Sequence, residues 1–103
     1  MTFTSANPAT GETLWTGEAA GPEQVSAALA KAHAAFEGWS VTPLEARIAF
    51  VRAYKAALER NVDALARAIS QETGKPAWEG RQEAATMVAK VETSIKAQAE
   101  RAG

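Results

Sequence analysis

At Gln71-Glu72-Thr73-Gly74-Lys75-Pro76-Ala77-Trp78-Glu79 the sequence breaks a helical pattern in a way that no neighbouring residue can repair. Gly74 can adopt the left-handed backbone that closes a helix. Pro76 cannot continue one, because it has no N–H to donate and its ring collides with the preceding turn. The chain must turn here, and Pro76 suits the first turn of a following helix. That helix is expected over about 76–102, with Ala84, Val88, Val91 and Ile95 on one face, Met87 beside them and Gly103 as its stop. At 1.5 Å per residue its length is ~39 Å. A helix that long exceeds the diameter of a domain this small, so it is expected to run across a larger body.

Upstream, Thr42-Pro43-Leu44-Glu45 reads as a capping box with proline at the first helical position. Leu44, Ile48, Val51, Tyr54, Leu58, Val62, Leu65 and Ile69 then keep a helical period. One long helix satisfies this pattern, but Asn61 before Val62-Asp63 can cap a new one. The expectation is therefore two helices, about 43–60 and 61–73, bent near Arg60 and Asn61. Arg47, Arg52, Lys55, Arg60 and Arg67 lie mostly off the stripe and read as a solvated face. Asp63 and Arg67 stand in the favourable i, i+4 order, worth ~0.3 kcal/mol. Earlier still, Gly21-Pro22 opens a helix expected over about 22–37, with Val25, Leu29, Ala32, Phe36 and Trp39 on one stripe. Gly38 is expected to end it, leaving Trp39 to cover its last turn.

The N-terminal stretch has a different chemistry. Phe3–Ser5 and Thr13–Thr16 are rich in Thr, Phe, Leu and Trp, and Asn7-Pro8-Ala9-Thr10-Gly11 lies between them. Pro8 presets the first central position of a type I turn, Asn7 can accept backbone hydrogen bonds, and Gly11 can take the positive φ that closes the loop. A β-hairpin is expected over about 2–17. Two strands alone are marginal in water, and nothing later reads as a third strand, so the hairpin calls for a sheet from elsewhere. The fold class is thus mostly α with an N-terminal β-hairpin.

The chain has 103 residues, enough for one small domain or part of one. Its 11 basic and 12 acidic side chains leave a net charge of −1, which gives no electrostatic case for nucleic acid or an anionic membrane. Residues 1–40 hold four Glu against one Lys, and the rest holds ten basic against eight acidic groups, too mild a split to name a partner. There is no cysteine, so these residues offer no disulfide, thiolate nucleophile or Cys-ligated zinc. No run approaches the ~20 apolar residues of a membrane span, and Met1-Thr2-Phe3-Thr4 lacks the order of a signal peptide. A cytoplasmic protein is expected. His33, the single histidine, has no Cys, Asp or second His at ligand spacing. No phosphate loop or nucleophile elbow occurs. Glu79 and Glu83 could form a carboxylate pair, though a hydrated first turn favoured by the helix dipole also explains them.

Three features in this order carry a resemblance: Asn7-Pro8-Ala9-Thr10-Gly11-Glu12, an Ala-rich helix ending Phe36-Glu37-Gly38-Trp39, and Glu72-Thr73-Gly74-Lys75-Pro76. The whole chain resembles the N-terminal part of NAD(P)-dependent aldehyde dehydrogenases. Gln71 to Met87, with Trp78-Glu79 after the proline, looks most like the subfamily that acts on succinylglutamate semialdehyde in arginine catabolism. The resemblance implies a homo-oligomeric parent several times longer, with NAD as cofactor, an aldehyde as substrate and a cysteine nucleophile. These 103 residues would be the start of its α/β cofactor-binding domain and inert alone. None of the catalytic or cofactor-binding groups maps onto this segment. Two weaker transfers follow from the resemblance. Glu83 and Met87, seven and eleven past Pro76, would face the substrate tunnel. Ser5 and Ala6, through backbone oxygens, and Glu72 would form part of a cation site. The reading from a different class is a stand-alone helical module whose apolar stripes bind a partner helix.

Overall fold

The turns at Asn7–Gly11 and Gly74–Pro76 form as the sequence leads one to expect, whereas the stretch from Gly38 to Leu44 does not. The structure, a computed structural model, describes residues 1–102; Gly103, expected as the stop of the last helix, lies outside the described residues. Two strands, β1 (Thr2–Ala6) and β2 (Thr13–Glu18), precede four helices: α1 (Pro22–Ser40), α2 (Leu44–Arg60), α3 (Val62–Thr73) and α4 (Ala77–Arg101). The chain is mostly helical with an N-terminal antiparallel hairpin.

Asn7 organises the hairpin turn. Its side-chain Oδ1 accepts from the Ala9 N–H at 2.9 Å, its carbonyl accepts from the Gly11 N–H at 2.7 Å, and its own N–H donates to the Glu12 carbonyl at 2.8 Å. Gly11 takes φ +77°, the left-handed value that closes the loop. The strands pair Thr2 with Glu18, Thr4 with Thr16 and Ser5 with Trp15, and then Ala6 with Thr13. Leu14 is therefore the extra residue of a bulge, which bends and twists the hairpin next to its turn.

The α1 helix departs from expectation at its C-terminus. It runs through Gly38 to Ser40, because Gly38 keeps a helical backbone and the last carbonyls find hydroxyl donors instead. Ser40 Oγ donates to the Glu37 carbonyl at 2.9 Å and Thr42 Oγ1 to the Gly38 carbonyl at 3.0 Å. That second bond engages Thr42, so the expected capping box at Thr42 does not form. The α2 helix starts at Leu44 with Pro43 before it and no side-chain cap. The break at Asn61 is present, with its capping chemistry reversed. Asn61 Nδ2 donates back to the Ala57 carbonyl at 2.7 Å and closes α2, while α3 begins without a side-chain cap.

Gly74 ends α3 at φ +75°, its N–H donating to the Ser70 carbonyl at 2.9 Å. Pro76 is the residue before α4 rather than its first, and its carbonyl accepts from Glu79 and Gly80 at 3.0 and 3.2 Å. The chain then folds back so that α4 packs along α3. The approach is close: a Cβ on Gly80 would sit 2.5 Å from the Ala66 carbonyl oxygen and 2.4 Å from Ser70 Oγ. Small and branched residues make the core, with Leu58, Ala66, Gly80, Ala84 and Val91 buried. Asp63 does not pair with Arg67. It takes Arg81 across the α3–α4 interface at 2.8 Å, because the packing of α4 along α3 brings the Arg81 guanidinium over the first turn of α3. Glu92 on α4 meets Arg52 and Lys55 of α2 at 3.5 and 3.4 Å.

The radius of gyration is 17.9 Å, against ~13 Å for a compact chain of this length. Among the elements that spread the molecule is α1, in which no residue is buried. Its apolar stripe exists, but Leu29 and Phe36 are 66% and 65% exposed. Its C-terminal end meets α2, with Trp39 against Phe50 and ring centroids 5.8 Å apart.

Candidate functional site

The two turn motifs, far apart in sequence, meet. Ser5 and Trp15 are cross-strand partners, and such partners project from one face of a hairpin. That face lies on the last turn of α3, where Glu72 Oε1 accepts from Ser5 Oγ at 3.0 Å and from Trp15 Nε1 at 2.9 Å. A carboxylate is the fitting acceptor for two donors on one oxygen, because its charge strengthens both bonds. Beside it the turns touch directly: a Cβ on Gly74 would lie 2.9 Å from Pro8 Cγ. Gly74 is thus required twice, by its positive φ and by the proline packed against it. Ala6, also expected at a cation site, follows Ser5 in β1 and pairs with Thr13 beyond the bulge. Hydroxyl, carboxylate and backbone oxygens are the donors that hard cations accept. Among the described residues no group of three His, Cys, Asp or Glu side chains could hold a metal ion.

The other expected residues lie on α4. Lys75, in the turn, reaches back to Glu83 and forms an ion pair with it. That hydrogen bond, followed by the charge of Glu83 and then of Glu79, holds the Lys75 ammonium above the usual lysine range, while desolvation works against it. Glu83 therefore pairs with a cation rather than with Glu79. Met87 lies where two shallow hollows adjoin. One, of about 340 Å³, is lined by Glu83, Thr86, Met87 and Lys90. The other, of about 310 Å³, is lined by Met87 and Lys90 with Val51, Tyr54, Val91 and Ser94. Sequence reasoning singles out neither Lys90 nor Tyr54 for this place. The signal for Lys90 is present, since Glu83, Met87, Lys90 and Ser94 are spaced four, three and four apart on one helical stripe. Tyr54 gives none, because it comes from another helix. His33 is exposed on α1. No described helix is long and apolar enough to cross a membrane.

The chain is similar to known proteins along its whole length. The model of the aldehyde dehydrogenase family matches residues 1–103. An N-succinylglutamate 5-semialdehyde dehydrogenase of Burkholderia orbicola is 50% identical over 101 residues, covering 98% of this chain and 21% of that protein. Proteins of the same name from Burkholderia mallei and Paraburkholderia xenovorans are each 48% identical over 101 residues with the same coverage. The chain thus spans about a fifth of the length of these relatives. With its two turn motifs in contact and the family model matched from end to end, this chain belongs to the aldehyde dehydrogenase family.

Proposed function

We propose that this chain is the N-terminal part of an NAD-dependent aldehyde dehydrogenase that oxidises N-succinylglutamate 5-semialdehyde to N-succinylglutamate, in arginine catabolism. The observation that carries the reading is the 50% identity, over 98% of the chain, to a dehydrogenase of that name. The segment is assigned to the start of the cofactor-binding domain, in an enzyme that oligomerises and works in the cytoplasm.

This reading places no dinucleotide site on the residues present. The sheet among the described residues is a two-stranded antiparallel hairpin, and no Gly-rich turn leads from a strand into a helix. No cysteine is present to attack an aldehyde. NAD and the nucleophile are accordingly assigned to sequence beyond these residues. The role of this segment is positional. Glu72 ties the hairpin to the end of α3, the Gly74–Pro76 turn aims α4, and α4 supplies Glu83 and Met87 as one wall of the substrate tunnel. Ser5, Ala6 and Glu72 supply oxygen donors for part of a cation site whose remaining ligands come from elsewhere.

The test is the enzyme encoded by the full reading frame. Incubated with NAD and the semialdehyde, it is expected to yield N-succinylglutamate and NADH in equal amounts, followed by mass spectrometry and by absorbance. A downstream frame lacking a Rossmann segment and a catalytic cysteine refutes the reading outright.

A further inference from the structure

The hollows around Met87 carry an electrical asymmetry. Glu83 is neutralised by Lys75, whereas Lys90, which lines both hollows, has no ion-pair partner among the described residues. Its helical neighbours three and four residues away are Thr86, Met87, Thr93 and Ser94, none of them acidic. Glu100 shares a third hollow with Lys90 and is already engaged by Lys96 at 3.7 Å. A surplus ammonium therefore stands on a groove whose walls, Val51, Tyr54 and Met87, suit a methylene chain.

We propose that Lys90 binds the remote carboxylate of the substrate and so sets a preference for carboxylate-bearing aldehydes over uncharged ones. This rests on the reading of Glu83 and Met87 as tunnel wall. N-Succinylglutamate 5-semialdehyde carries carboxylates at a distance from its aldehyde. The farther one is about eight bonds away, or roughly 9 Å when extended. From Glu83 to Lys90 the helix rises roughly 10 Å, so a molecule of this length fits along the stripe. An ammonium is a mobile point charge with three donors, suited to a carboxylate at the end of a flexible chain. Lys90 is a specificity-determining residue and has no part in the chemical step.

The experiment compares the semialdehyde with hexanal in the full-length enzyme. Lys90→Met keeps most of the length of the side chain and removes the charge. It is expected to raise KM for the semialdehyde on the order of tenfold, to leave kcat within about twofold, and to leave KM for hexanal unchanged. Lys90→Arg is expected to restore most of the loss. On the wild type, raising ionic strength from about 0.05 to about 0.5 M is expected to raise KM for the semialdehyde and not for hexanal. Equal effects on both aldehydes, or none on either, overturn the role of Lys90. A wild-type enzyme with no preference for the semialdehyde overturns the underlying functional reading, and with it this one, whatever the variants do.

Discussion

Gly80 and Gly38 are both glycines inside helices, and replacing each by alanine should have opposite results. In a free helix alanine is favoured over glycine by about 0.5–1 kcal/mol. At Gly38 an added Cβ meets nothing within 4 Å, so Gly38→Ala should realise that gain. At Gly80 the Cβ would meet the Ala66 carbonyl oxygen at 2.5 Å and Ser70 Oγ at 2.4 Å. The hydroxyl can rotate away, but the carbonyl belongs to the α3 backbone and moves only if α3 and α4 separate. Overpacking of that kind costs about 1–3 kcal/mol, so after the propensity gain Gly80→Ala should lose on the order of 1–2 kcal/mol. Amide hydrogen exchange reads this locally, without a cooperative melt. Protection in α3 and α4 should fall about 5–30-fold in Gly80→Ala, while protection in α1 should rise in Gly38→Ala. Ser70→Ala combined with Gly80→Ala should recover only part of the loss, because the carbonyl clash stays. Equal or greater protection of α3 and α4 in Gly80→Ala would refute the reasoning.

Glu72→Leu removes the acceptor of Ser5 Oγ and Trp15 Nε1. The hairpin's attachment should weaken by about 1 kcal/mol, and the Trp15 indole N–H resonance should move toward its solvent-exposed position; an unchanged resonance counts against the contact. Glu92 is held below its ordinary value of 4.5, first by its hydrogen bond from Arg52. A carboxyl with a lowered folded-state pKa contributes stability that is complete above its unfolded value and lost as pH falls through the folded one. The α2 protection advantage of wild type over Glu92→Gln should therefore be full above pH 4.5 and vanish on further acidification; an advantage that persists at low pH argues against the link. The isolated 103-residue chain, with Leu29 and Phe36 at 66% and 65% exposure, should associate as concentration rises. Sedimentation showing a monomer at all concentrations, with a sharp thermal transition, would instead favour a self-sufficient helical module.

What can be read from the sequence follows the range of the physics involved. The turns at Asn7–Gly11 and Gly74–Pro76 are legible because proline, glycine and asparagine act through their own backbones. The stretch from Gly38 to Leu44 is not, because Thr42 Oγ1 has two possible partners, the Gly38 carbonyl behind it and the first amides of α2 ahead. Geometry that no local rule contains decides between them. Asp63 is a similar case: its i, i+4 partner is visible in the sequence, whereas Arg81 becomes its neighbour only after α4 folds back. At the candidate sites, resemblance points to the backbone oxygens of Ser5 and Ala6 and to Glu72, and the structure shows Glu72 accepting instead from the Ser5 hydroxyl and from the Trp15 indole. The Trp15 contact spans 57 residues and leaves no periodic trace. Lys90 is the intermediate case, on a stripe the sequence displays but beside a hollow whose other wall comes from α2.

The docking of the hairpin on Glu72 and Gly74 also has a timetable. During synthesis the two strands leave the ribosome well before the turn they rest on, because more than fifty residues separate Glu18 from Gly74. At the usual pace of translation this interval is on the order of 3–11 s, long compared with the microseconds in which a hairpin forms. For those seconds β1 and β2 are a marginal ribbon with both edges open and nowhere to rest. Thr2, Thr4, Thr13 and Thr16 keep much of that ribbon polar while it waits. The bulge at Leu14 bends it away from the flat shape that invites a second strand.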